Sequence, residues 1–301
     1  MHQRSVVLAT AIIALMAPLF YGIACAEPQM PQIENALQIR ALGPADYAYV
    51  SRNITEIPVD NSIIEFQASV KFLRFQSTPL GIPLQIDLRG HSGSLKTQEL
   101  RYSFRFGNDG GIIFYYPFMN SSAAVTKQKA WVLGKWYQLR TVVSGSSARF
   151  YINETLVGEN TSEHPARSSG FVLSLVAFGK TERQKTGVEA FVANIRVVQN
   201  GTIMMSEDFK DDLRGYEIRS SGGSLLKVID PSRYASLDAY VRPTTTSAGD
   251  TVLLSAHLVD SSLKGLGNKT IVFEYQSGDE WLGIAAAMSL GNGTARASWR
   301  I

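Results

Sequence analysis

Two runs of strict alternation lie back to back around Gly145-Ser146, and they constrain this chain more than any other feature. Tyr137, Leu139, Thr141 and Val143 alternate with Gln138, Arg140 and Val142. On the return, Ala148, Phe150 and Ile152 alternate with Arg149, Tyr151 and Asn153. Successive side chains of an extended backbone point to opposite faces, so a period of two marks a half-buried strand. The turn residues between the runs set them antiparallel. The stretch from Trp131 to Gly158 therefore predicts a hairpin with one wet face and one apolar face.

The same period recurs along the chain. Ile64, Phe66, Ala68, Val70 and Phe72 alternate with Glu65, Gln67, Ser69 and Lys71, and Tyr102, Phe104 and Phe106 alternate with Arg101, Ser103 and Arg105. Asn108-Asp-Gly-Gly111 is a tight turn into an apolar run, and Gly170 to Phe178 and Val188 to Val198 are longer, more apolar strands. Helical periodicity is nearly absent past the first residues, and turn signals come about every 8–12 residues, the spacing of an all-β sandwich. Residues 33–200 predict one jelly-roll sandwich of about a dozen strands.

Particular residues carry a resemblance. Gly134-Lys-Trp136-Tyr137-Gln-Leu139, a turn, and then Tyr151-Ile-Asn153 resemble the central hairpin of concanavalin A-like, laminin-G-type sandwiches, with Glu154 where that family usually has Gly. Phe191 to Val198 resembles the last strand of such domains, with Ala193 where Asp is common. Ile203-Met-Met-Ser-Glu-Asp-Phe209 through Gly215-Tyr216 resembles their opening strand, but it stands at the far end, while Ala36 to Ile39 resembles their second strand. The expectation is that 203–210 pairs inside the sandwich beside the strand near Leu37, because moving the chain ends leaves the sheet order intact. The first domain then spans 27–230. Residues 231–301 hold five further short runs, with Ser247-Ala-Gly-Asp-Thr-Val252 and Gly267-Asn-Lys-Thr-Ile-Val-Phe273 among them. These resemble bacterial and archaeal immunoglobulin-like surface domains. The resemblance implies a smaller sandwich without its closing strands, whose open edge a partner strand could complete.

The first residues set an expectation for the compartment. Arg4, the apolar run from Val6 to Leu19 and Ala24-Cys25-Ala26 have the form of a secretory signal peptide over 1–26. Anchoring is then confined to that peptide or to a lipid at Cys25, the sole cysteine, and the mature chain is expected to be extracellular or cell-surface and free of disulfides. The 29 Lys and Arg against 26 Asp and Glu leave no basic stripe, which argues against nucleic acid as a partner. Seven of the 11 asparagines lie in Asn-x-Ser/Thr sequons: Asn53, Asn120, Asn153, Asn160, Asn200, Asn268 and Asn292. Chance placement gives about two, so a glycoprotein is expected, and with no disulfides an archaeal surface protein fits the composition.

Catalytic patterns are weak. Glu65 and Asp87 stand alone on their strands, and His91, His164 and His257 share no triad or metal-ligand spacing, so no catalytic residue is assigned. Glu207, Asp208, Asp211 and Asp212 gather hard oxygen ligands in one turn, an expectation of one structural calcium and no other cofactor. Tyr116, Trp131 and Tyr151 are the candidate sugar-stacking aromatics, and Trp136 and Phe114 are expected in the core. Three functions stay open. The first is non-catalytic binding of a cell-surface or extracellular glycan, or of a matrix or surface protein, in adhesion. The second is a structural envelope or filament subunit joined by strand donation. The third is a jelly-roll glycoside hydrolase, for which the family's Glu-x-Asp-x-x-Glu signature is missing.

Overall fold

The computed structural model describes residues 33–55, 63–76, 82–90, 100–107, 111–115, 124–127, 131–144, 147–161, 170–179, 186–243, 247, 249–277 and 280–300. Among these the chain is almost wholly extended. The strands are β1 (Ala36–Ala41), β2 (Tyr47–Thr55), β3 (Ile63–Gln76), β4 (Leu84–Gly90), β5 (Leu100–Phe106), β6 (Gly111–Tyr115), β7 (Ala124–Lys127), β8 (Trp136–Ser144), β9 (Ser147–Ile152) and β10 (Thr155–Thr161). They continue with β11 (Gly170–Phe178), β12 (Gly187–Gln199), β13 (Thr202–Glu207), β14 (Glu217–Ser221), β15 (Leu225–Ile229), β16 (Ala235–Arg242), β17 (Thr251–Asp260), β18 (Thr270–Ser277), β19 (Glu280–Met288) and β20 (Thr294–Arg300). Among the described residues no helix is long and apolar enough to cross a membrane.

Two antiparallel sheets form the jelly-roll sandwich. One runs β10-β9-β8-β3-β12-β1-β15, with β13 also on β12, and the other runs β14-β2-β11-β4-β5-β6-β7. The alternation read in the hairpin is the observed burial: along Trp136–Ser144 every second residue is buried. Phe66, Phe72, Phe104, Phe106, Phe150 and Phe171 fill the space between the sheets. Sheet faces packed this way need matched apolar parity on both layers, which the period-two runs supply.

Residues 203–207 do lie inside the sandwich, with a difference from expectation. They pair with β12 from Ile195 to Val198, while β1 occupies the same edge of β12 further along, from Leu37↔Val192 to Ala41↔Val188. The strand that pairs with β1 on its other side is β15, through Leu37↔Val228 and Ile39↔Leu226. One long strand, β12, thus receives the chain's first and thirteenth strands end to end. The turn from β12 into β13 forms around Asn200, whose φ of 49° and side-chain bond to the Ile63 N–H close the corner.

The five C-terminal strands are present as two small sheets, β16-β17-β20 and β18-β19. They share a modest core of Val252, Leu254, Ala256, Ile271, Phe273 and Ala295. The three-stranded sheet meets the outer face of the β8-β3-β12 region: Lys71 Nζ donates to Ser261 Oγ at 3.2 Å, and Arg74 bonds Asp238. Lys71 is only 4% exposed. Burial depresses its ammonium pKa, and the Asp260 carboxylate partly restores it.

Candidate functional site

The docking of β16 onto the sandwich leaves a cleft of about 610 Å³ between β1, β12 and β15 on one side and the β15–β16 connection on the other. That volume is in the range of small-molecule sites. Its floor is a row of residues on the outward parity of the sheet. Arg40 pairs with Glu189, and Glu189 with Arg74, across three neighbouring strands, while Gln38 stands opposite Lys227. The wall is a single 3-10 turn, Pro231–Arg233, N-capped by Asp230 and led out by Tyr234. Proline at the first position and an Asp cap explain why the chain turns there.

The floor is polar and buried. Glu189 is 3% exposed and Gln38 6%. Glu189 Oε1 accepts from Gln38 Nε2 at 2.8 Å and from the Tyr234 hydroxyl at 3.0 Å, and its other oxygen lies 3.6 Å from Arg74 Nε. A buried carboxylate is tolerable only when paired and hydrogen-bonded in this way. Burial pushes the Tyr234 phenol up to about 12, so the hydroxyl stays protonated and donates. Burial alone would lower the Arg74 guanidinium pKa, but the Asp238 hydrogen bond and the charges of Asp238 and Glu189 raise it overall. The Tyr234 ring stands edge-on to Phe191 at 5.1 Å, and Phe191 in turn meets Trp136. A second hollow of about 390 Å³ meets the cleft at Leu42 and Arg74.

None of the polar residues of the cleft was assigned to a site in the sequence. Gln38, Glu189 and Tyr234 are remote along the chain; the β1–β12 register brings the first two together, and the 3-10 turn after β15 sets Tyr234 over them. The available signal was Glu189 itself, a lone charge inside Gly187-Val-Glu-Ala-Phe-Val-Ala193, where a strand buried on both faces has no use for one.

The sequence-derived candidates fall elsewhere. Tyr116 lies outside the described residues. Trp131 is a correction: it is 7% exposed and packs in the sandwich core against Phe72, Phe106 and Tyr137. It enters the core because Val132 N–H is tied to the Tyr137 hydroxyl at 2.8 Å, which folds the pre-strand turn over the end of the sandwich. Trp136 is the converse correction. It sits on the outer face, in a small cluster with Phe191 and Tyr234, under Lys71 at 5.6 Å. Phe114 falls on β6, where side chains are outside the described residues. Tyr151 does face outward, and the Arg140 guanidinium covers its ring at 4.1 Å, which takes up one face of the ring. Arg140 also holds Glu154 at 2.7 Å and Glu65 at 3.9 Å.

The acidic turn does not converge on a point. Glu207 is buried, accepting from Arg52 at 2.9 Å, Tyr216 at 2.8 Å and the Phe209 N–H at 2.7 Å. Asp208 points out to Lys210 at 2.9 Å, and that hydrogen bond lowers its pKa. As arranged, Glu207, Asp208, Asp211 and Asp212 do not fit a calcium ion, which gathers six to eight oxygens. Among the described residues no three carboxylate, imidazole or thiol groups come together as a metal site. Of the sequon asparagines, Asn53, Asn200, Asn268 and Asn292 are exposed and Asn153 is half-buried. The Asn160 side chain and Asn120 are outside the described residues. Asn153, Asn200 and Asn268 have positive φ, so local turn geometry also favours Asn at these places.

The fold defines an all-β jelly-roll protein, and a family model agrees. Residues 73–205 match the family model described as the concanavalin A-like lectin/glucanases superfamily. Among solved structures, the chain is similar to a carbohydrate binding module from Bacillus subtilis, at 14% identity over 49% of this chain and 94% of that one, with a TM-score of 0.29. It is similar to the heptameric pentraxin of Limulus polyphemus at 12% identity over 66% and 97%, with a TM-score of 0.39. Sheep galectin-11 matches at 9% identity over 52% and 100%, with a TM-score of 0.31. At these scores none of the three bears on the ligand. No curated protein matches the chain.

Proposed function

We propose that this is a secreted or cell-surface glycoprotein that binds glycans without cleaving them, and that the cleft is where it binds. One observation carries the reading: the buried Gln38–Glu189–Tyr234 floor. It sets fixed donors and acceptors at the bottom of an open, mostly polar cleft, which suits a ligand made of hydroxyls. The superfamily match over 73–205 supports a carbohydrate ligand and leaves hydrolysis open. Against hydrolysis stands the engagement of the cleft's two carboxylates: Glu189 is held by Gln38, Tyr234 and Arg74, and Asp230 caps the 3-10 turn through Ser232, whereas a glycosidase needs two carboxyl groups free to flank the scissile bond. The test is a glycan array with the secreted chain and a Gln38→Leu/Tyr234→Phe variant, alongside an assay for new reducing ends. Binding that the variant loses, with no reducing ends released, is expected. Cleavage of a bound polysaccharide would move the protein to the hydrolases.

A second reading, a structural subunit assembled by strand pairing, draws on β16. This strand pairs only with β17 among the described strands, and it exposes Leu237 (50%), Tyr240 (58%) and Val241 (47%). Exposed apolar residues on an edge strand favour pairing with another chain. Sedimentation velocity across a concentration series tests it, and a monomer throughout would exclude it.

A further inference from the structure

The lining of the cleft is unequal in charge. Four cationic side chains, Arg40, Arg74, Lys227 and Arg233, face it against two carboxylates, Glu189 and Asp230. The carboxylates are already satisfied. Both oxygens of Glu189 are occupied by Gln38, Tyr234 and Arg74, and Asp230 Oδ1 accepts from the Ser232 N–H at 2.8 Å and the Ser232 hydroxyl at 2.6 Å. Arg74 is taken up by Glu189 and by Asp238 outside the cleft. Lys227 makes no ion pair among the described residues and is exposed, and it stands opposite Gln38 on the floor. Arg40 lies one pair along on the same strand, opposite Glu189. Arg233 rises from the wall, in the last turn of the 3-10 segment.

Resting on the glycan-binding reading above, we infer that the cleft takes an acidic sugar, its carboxylate or sulfate ester lodged between Lys227, Arg40 and Arg233 and its hydroxyls on the polar floor. A neutral sugar would leave Lys227 without a counter-charge and Arg40 and Arg233 with only the unbonded, through-space charges of Asp46 and Asp230. An acidic one gains charge-assisted hydrogen bonds in a partly enclosed site, where they are stronger than in water. The adjoining hollow at Leu42 and Arg74 gives room for a neighbouring residue of the same chain, so an oligosaccharide suits the site better than a free monosaccharide.

Titration calorimetry with three probes tests this: tetragalacturonate, its fully methyl-esterified form and a sulfated galactose tetrasaccharide. The ester keeps the ring and its hydroxyls and removes only the charge. At least tenfold tighter binding of an acidic probe than of the ester is expected, and the margin should shrink as salt rises from about 50 to about 500 mM. Which acidic probe binds more tightly separates carboxylate from sulfate. A Lys227→Gln/Arg233→Gln variant with an unchanged melting temperature should lose that margin and keep the weak binding of the ester. Equal binding of ester and acid overturns the inference but leaves a glycan cleft standing. Acid binding untouched in the variant places the anion elsewhere and also overturns it. Failure of every glycan, neutral ones on the array included, removes the glycan-binding reading together with this inference.

Discussion

Arg52 of one sheet and Glu207 of the other meet at 2.9 Å across one end of the sandwich. Glu207 also receives the Tyr216 hydroxyl and the N–H of Phe209, whose φ of 57° is rare for a bulky residue. Burial raises the phenol pKa of Tyr216 further from neutrality, so it stays a donor. Glu207→Ala would strand three donors, one of them cationic, and should cost about 2–4 kcal/mol in urea unfolding. Arg52 is partly exposed, so Arg52→Met should cost less than half as much. An equal loss from both variants would mean the ion pair itself, and not the buried acceptor, carries the effect.

The turn at Asn153-Glu154 keeps the shape that its sequence resists. Both residues have positive φ, 48° and 61°, between the paired residues Ile152 and Thr155. A two-residue hairpin turn of this hand suits Gly at its second position. Glu154 bears the left-handed penalty of about 1–2 kcal/mol and regains part of it through an exposed pair with Arg140, worth about 0.2–1 kcal/mol. Glu154→Gly should therefore be neutral or stabilising by up to about 1 kcal/mol, and Glu154→Ala should be the less stable of the two. The denaturation midpoints of the two variants decide the order.

How far the sequence reveals this molecule is clearest in its two central tryptophans. Period-two alternation marks the strands and which face of each is apolar; β8 and β9 follow it residue by residue, and β3 follows it from Ile63 to Ala68 but is buried on both faces from there to Leu73. Trp131 precedes its strand, so parity says nothing about it, and a turn folds it inward. Trp136 has outward parity, yet it is half-buried because a cluster that includes Phe191 and Tyr234 forms over that face. Periodicity describes one sheet against water. It carries no information on a second body docking on the outer face, and the cleft exists only because of that docking. Glu154 was visible as a departure, and the structure shows the turn surviving it.

Asp46 ties two loops together. Its carboxylate accepts from the N–H groups of Leu42 at 3.1 Å, Gly43 at 2.6 Å and Gly223 at 2.8 Å. These bonds, Gly43 foremost, hold its pKa below the usual value. The folded-state pKa is thus lower than the unfolded one, so the contribution is complete above about pH 4 and is lost as pH falls through the folded value. Asp46→Asn should cost about 1–3 kcal/mol at neutral pH and should flatten the acid limb of the stability curve. Parallel acid limbs in variant and parent would show that other carboxylates dominate. The same loop explains Gly179, where a Cβ would come within 2.4 Å of the Gly43 carbonyl oxygen.

The last expectation concerns the contact that makes the cleft. Gly134 has a φ of 78°, and a Cβ there would stand 2.8 Å from the Ser262 carbonyl oxygen and 2.9 Å from its carbon. Its own N–H is bound to the Phe72 carbonyl at 2.8 Å, so it cannot swing aside without losing that bond. Glycine here lets the backbone before β8 touch the turn after β17, beside the Lys71–Ser261 and Arg74–Asp238 bonds. Gly134→Ala must force the two backbones apart and strain its own conformation, a combined cost of about 2–3 kcal/mol. The large core between the sandwich sheets does not depend on this contact. Hydrogen exchange should therefore rise in residues 251–264 and in the 3-10 segment 231–233, while β3, β8 and β12 keep their protection. Lys71→Met, which swaps a buried ammonium for an apolar chain of similar length, should leave the same segments protected and the melting temperature unchanged or higher. Uniform loss of protection in Gly134→Ala across both the sandwich and the C-terminal strands would instead mean that the two unfold as one unit. The cleft could then not open without unfolding the whole.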